Sequence, residues 1–72
     1  MIEWKKLPRG TYRAVVNGIE LDVWQHSDGW MWNALRQGEG YLMNGVGYSS
    51  LDTACEDAIK YAETLNPSTL LS

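Results

Sequence analysis

Residues 11–25 read Thr11-Tyr12-Arg13-Ala14-Val15-Val16-Asn17-Gly18-Ile19-Glu20-Leu21-Asp22-Val23-Trp24-Gln25. Two runs that alternate in polarity flank Asn17-Gly18. That dipeptide is the strongest short hairpin signal, because a type I′ turn needs φ > 0 at both central residues. The stretch therefore predicts two antiparallel strands joined by a two-residue loop. Such a loop sets Val16 opposite Ile19, Ala14 opposite Leu21 and Tyr12 opposite Val23, so these six share a buriable face. The other face receives Val15 with Glu20, Arg13 with Asp22 and Thr11 with Trp24. Arg13 and Asp22 then form a cross-strand ion pair worth ~0.2–1 kcal/mol. A slip of one residue would bury the charges, so pattern and turn agree.

The register extends outward. His26-Ser27-Asp28-Gly29 is a second turn, with either Asp28-Gly29 or all four residues as the loop, and residues 30–37 make a third strand. Either loop length puts Trp30, Trp32 and Ala34 in the core and sends Met31, Asn33 and Leu35 to the face that carries Trp24. Residues 38–47 hold four glycines and fit two descriptions. They make a short fourth strand or hairpin around Asn44-Gly45, or a flexible loop crossing to the helix. Beyond them, Leu51, Ala54, Cys55, Ala58, Ile59, Ala62 and Leu65 follow the i, i+3, i+4, i+7 rule of an amphipathic helix. Ser49 with Asp52 predicts its capping box, and Asn66-Pro67 predicts its stop. Residues 1–10 read as an N-terminal arm ending in the break Leu7-Pro8-Arg9-Gly10, with Trp4 folded onto the body. The domain proper spans 11–66, and 67–72 is a frayed tail.

Seventy-two residues make one domain. A chain of this size buries only about 60% of its unfolded surface, so large aromatics matter to its core. It has four Trp, four Tyr and no Phe. Net charge is −3, which argues against nonspecific binding to nucleic acid or anionic membranes. The charge is uneven: Lys5, Lys6, Arg9 and Arg13 crowd the start, while Arg36 and Lys60 face eight carboxylates from Glu20 onward. A single Cys excludes an internal disulfide. The sequence has neither an apolar run of transmembrane length nor a signal-peptide core. A cytoplasmic chain is the expectation, in the host cytoplasm if phage-encoded.

No constellation meets the requirements of catalysis. His26, Ser27 and Asp28 are the residue types of a hydrolase triad, but neighbours in one tight turn do not converge as nucleophile, base and orienter. They read as turn chemistry. Cys55 lies inside the apolar stripe and reads as a small buried hydrophobe. One Cys and one His do not make a structural zinc site. The glycines at 38, 40, 45 and 47 match no phosphate-loop spacing, and no Lys follows them at the helix start. No enzyme, metal or cofactor is expected.

Two surfaces remain. The first is the outer sheet face, where Trp24, Met31, Asn33 and Leu35 form an apolar cluster with Arg13 and Asp22 at its rim, the composition of a protein-binding patch. It is available unless Trp4, Leu7 or residues 41–46 fold across it. The second is an acidic helix face of Asp52, Glu56, Asp57 and Glu63, relieved by a Glu56–Lys60 pair. A nucleic-acid alternative uses the basic arm of Lys5, Lys6, Arg9 and Arg13, and a homodimer through the Trp24 face is a third reading.

The layout of three strands and one helix, with Trp30 and Trp32 in strand three and Gly47-Tyr48-Ser49-Ser50-Leu51 leading into an Ala-rich helix, resembles many short proteins encoded by bacteriophages and prophages. It also resembles the β-β-β-α DNA-binding domains of the AP2 and integrase-arm type. Those domains carry Arg and Trp on the exposed sheet face, where this chain also has Glu20 and Asp22. The expectation is an α+β fold, a three-stranded antiparallel meander with room for a short fourth strand, packed on one C-terminal helix. The phage resemblance implies an accessory protein that inhibits or retunes a host protein, of the counter-defence or anti-CRISPR type.

Overall fold

A computed structural model describes residues 2–36 and 38–65. The order is β1 (Lys5–Lys6), β2 (Tyr12–Val16), β3 (Ile19–His26), β4 (Gly29–Arg36), β5 (Gly40–Tyr48) and α1 (Leu51–Thr64). The strands form one antiparallel sheet in sequence order, β1 to β5. The α+β class and the C-terminal helix are as expected. The three-stranded meander is two strands short, because β1 and a full-length β5 extend it on either side.

The central hairpin has the expected register, with Tyr12 opposite Val23, Ala14 opposite Leu21 and Val16 opposite Ile19. Asn17 and Gly18 both have positive φ, at 54° and 76°, as a type I′ turn requires. The turn has a second task. The Asn17 side-chain amide donates to the Ala62 and Leu65 carbonyls, at 3.3 and 3.5 Å. Both lie at the C-terminal end of α1, whose last turn carries no basic side chain; the Ala62 carbonyl also accepts from the Leu65 N–H, so the hairpin tip adds a donor there and ties the β2–β3 turn to the helix end.

The β3–β4 loop is Ser27-Asp28, one residue earlier than the shorter loop expected, with His26 opposite Gly29. The parity is unchanged, so Trp32 and Ala34 are buried as expected. Tyr12 and Trp30 are half-buried and pack on each other at the sheet's end, with ring centroids 6.5 Å apart.

The flexible-crossover reading of residues 38–47 is overturned, and so is a fourth strand of short length. β5 runs nine residues along β4, with register irregularities between Trp30 and Trp32 and between Ala34 and Leu35. These bulges break the alternation that marks a strand in sequence. Gly45 is where backbone and side chains crowd: a Cβ there would fall on the Trp32 indole and 2.7 Å from the Tyr48 hydroxyl.

β1 forms because Leu7-Pro8-Arg9-Gly10 closes a three-residue hairpin loop. Gly10 N–H donates to the Leu7 carbonyl, Leu7 N–H donates to the Thr11 carbonyl, and Gly10 has φ 86°. Pro at the first loop position and glycine in the left-handed region suit that loop. The arm is therefore the outermost strand of the sheet.

α1 covers one face of the sheet. Ala54, Ala58 and Ala62 are fully buried against Ile19, Leu21, Val23, Trp32 and Ala34. Their small side chains bring the helix axis close to the sheet, and Leu51, Cys55, Ile59 and Leu65 flank them. The cap lies one residue later than expected. Ser50 accepts from Thr53 N–H at 3.2 Å, and Thr53 Oγ1 accepts from Ser50 N–H at 3.3 Å. Tyr48 is still paired to Trp30 in the sheet, and Ser50 keeps extended backbone (φ −148°, ψ 162°), so the helix begins only at Leu51. Asn66-Pro67 and the tail lie outside the described residues.

Candidate functional site

Strand alternation places Arg13, Val15, Glu20, Asp22, Trp24, Met31, Asn33 and Leu35 on the sheet face opposite α1. The pairs Trp24–Met31, Asp22–Asn33 and Glu20–Leu35 are directly opposed on neighbouring strands. β5 adds Asn44 opposite Asn33 and Tyr41 opposite Leu35. Val46 lines a shallow cleft with Met31, His26 and Asp28.

Nothing among the described residues lies across this face. Trp4 packs against the core cluster. Residues 41–46 lengthen the sheet instead of folding over it. Leu7 comes nearest: with Pro8, Arg9, Thr11, Arg13 and Asp22 it walls a cleft of about 510 Å³ that has Trp24 on its other side. Val15, Tyr41 and Val46 are 65%, 57% and 64% exposed, respectively. Trp24, Met31, Asn33 and Leu35 are half-buried by their strand neighbours.

A charged triad divides the face. Arg13 Nε donates to Asp22 Oδ1 at 2.7 Å, its Nη2 donates to Asp22 Oδ2 at 3.2 Å, and Glu20 Oε2 is 3.3 Å from Nε. This fork raises the Arg13 pKa, chiefly through the hydrogen bonds to Asp22. The pair is open to solvent, so its net value stays near ~0.2–1 kcal/mol. Its larger effect is orientational. Planar bidentate geometry holds Arg13 flat along the sheet, between the Trp24 cleft and a second one walled by Val15, Glu20, Leu35 and Arg36.

The other sequence-derived candidates are placed as follows. Asp52, Glu56 and Glu63 are exposed on α1. Asp57 is not part of that free face: it turns toward β5, is half-buried and accepts a hydrogen bond from the Tyr48 hydroxyl. The ion pairs among the described residues are Arg13 with Glu20 and Asp22, and Arg36 with Glu39. Glu56 and Lys60 thus remain separate. Of the basic arm, Lys5 is exposed opposite Arg13 and Lys6 lies 5.8 Å from the Tyr12 ring. Arg9 borders the Trp24 cleft, while Arg13 is committed to its two carboxylates.

Behind β5, Trp32 Nε1–H donates to the Tyr48 hydroxyl at 3.1 Å and that hydroxyl donates to Asp57, which links sheet and helix. Burial, then the Asp57 hydrogen bond, push the Tyr48 pKa up. Burial, with a smaller contribution from the Asp52 charge, pushes the half-buried Cys55 thiol up to about 11. In the β3–β4 turn, Ser27 Oγ and His26 Nδ1 are 3.2 Å apart, and both residues are exposed. Among the described residues no group of His, Cys, Asp or Glu converges as a metal site, and no helix is long and apolar enough to cross a membrane.

No protein-family model, curated protein or solved structure matches this chain. The site therefore rests on its own geometry. Sequence reasoning missed Tyr41 and Val46, because the bulges hide the strand that presents them.

Proposed function

We propose that this chain is a non-enzymatic protein-binding module, docking through the outer face of its sheet on a protein partner. The observation that carries the reading is the one-sided fold. α1 covers one face of a five-stranded sheet, and the opposite face holds Trp24, Met31, Leu35, Val15, Tyr41 and Val46 around an oriented Arg13–Asp22 pair. An apolar patch with an aromatic anchor and a polar rim has the anatomy of an interface. The cleft beside Trp24 would receive a projecting side chain. Asn33 would supply hydrogen bonds at the centre, and the layout is in keeping with small phage accessory proteins that occupy a host protein.

The test is affinity capture from native cells with the intact chain, repeated with Trp24→Ala. That variant should keep the wild-type circular dichroism and weaken the captured protein's binding by about 2 kcal/mol or more. Equal binding by the two chains would contradict the proposal. Recovery of nucleic acid alone, with a log–log salt slope of about −3, would transfer the function to Lys5, Lys6 and Arg9.

A further inference from the structure

The two edges of the sheet are unlike. β1 is two residues long and both are exposed lysines, a device that discourages strand addition. β5 is nine residues long, and residues 40–51 form the longest uncharged stretch of the chain. Its outer edge presents backbone N–H and C=O groups, and among the described residues no strand lies beyond it, which makes it a template for another strand. Bulges interrupt β5 on both sides of residues 43–45, which pair regularly with Trp32, Asn33 and Ala34. The regular run is thus centred on Asn44.

We propose that β5 pairs antiparallel with β5 of a second copy of this chain, about a two-fold axis at Asn44. The strand's own order, Gly40-Tyr41-Leu42-Met43-Asn44-Gly45-Val46-Gly47-Tyr48, suits a second copy at its centre. An antiparallel pair centred on residue 44 sets residues 43–45 of one copy against 45–43 of the other, before the bulges and the left-handed Gly40 and Gly47 interrupt both strands. Asn44 meets Asn44, and each Met43 meets the other copy's Gly45. Each methionine is opposed by a glycine, and the Asn44 Nδ2 would donate across the axis while its Oδ1 accepts from the Tyr41 hydroxyl of its own chain. No like charges are brought together, although the chain as a whole is acidic. Closed two-fold pairing uses up the free edge of both copies and leaves no further edge but the lysine-bearing β1. The axis stands perpendicular to the sheet, so both outer faces point the same way and both helices lie on the other side. This pairing does not depend on what the outer face binds.

Sedimentation of the full chain across a range of concentrations tests the pairing, together with Asn44→Lys. The wild type should reach the mass of two chains, and the lysine variant should remain monomeric at the same concentration. A wild type that stays monomeric at the highest concentration, or a dimer that survives Asn44→Lys, overturns the proposal; the latter would point to another surface, the Trp24 face included. Should the lysine variant misfold, a cysteine pair decides. In a Cys55→Ser background, Asn44→Cys places two thiols on residues whose Cα atoms are about 4.5–5.5 Å apart, within disulfide reach. It should oxidise to a covalent dimer much faster than the off-centre Val46→Cys, and equal rates would contradict the register.

Discussion

Asn17 holds two jobs that can be separated by substitution. Asn17→Gly keeps a residue suited to positive φ and removes only the amide that reaches Ala62 and Leu65, so it should cost about 0.5–1.5 kcal/mol in a urea melt. Asn17→Ala loses the amide and strains the turn, and should cost about 1.5–3.5 kcal/mol. Equal costs would mean that the helix contact carries the whole effect. Cys55 gives a second test at this scale. With the thiol pushed up to about 11 from an ordinary 9.0, its thiolate fraction near neutral pH falls about a hundredfold, and alkylation should slow accordingly relative to the unfolded chain. Cys55 and Tyr48 both hold their protons more tightly folded than unfolded. The unfolded chain then binds fewer protons in alkali, so their contribution is complete below the unfolded values and is lost as pH rises through the folded ones. The urea midpoint should fall from about pH 9 upward, and less steeply in Cys55→Ser; an identical fall would remove Cys55 as a cause. None of these residue-scale roles is local. Asn17 reads as a turn residue from its neighbour Gly18, but its bond to a helix 45 positions away appears only after folding.

Among the elements, legibility follows regularity. The β2–β3 hairpin and β4 were readable because a tight turn and a two-residue period specify the same register, and a slip would bury Arg13 and Asp22. The helix was readable from the stripe containing Ala54, Ala58 and Ala62. Its cap was misplaced by one residue because the point where β5 lets go of β4 has no sequence mark. β5 was half hidden: its bulges shift the side-chain period, and its glycines lower the apparent strand content. β1 was hidden by its length of two residues. The glycine that weakens β5 as a signal is required by its packing. Gly45→Ala would drive a methyl into the Trp32 indole and the Tyr48 hydroxyl, and should cost about 1–3 kcal/mol by denaturation. A neutral result would mean that Trp32 and Tyr48 give way to the added methyl.

For the whole molecule, the decisive asymmetry is a sheet with one face covered by α1 and the other left uncovered by the described residues. The chain's tryptophans divide accordingly. Trp32 is buried beneath the helix and stacks near Tyr61 at 5.6 Å, so Trp32→Ala should cost about 3–5 kcal/mol, enough to unfold much of a domain this small. Trp24 faces the other way, and its truncation should leave the fold in place. The most direct measurement is a chemical-shift map of the isotopically labelled chain titrated with its captured protein partner. The account predicts perturbations at Trp24, Met31, Asn33 and Leu35, extending to Tyr41 and Val46, with the exposed carboxylates of α1 silent. Perturbations confined to Asp52, Glu56 and Glu63, or to Lys5, Lys6 and Arg9, would contradict it.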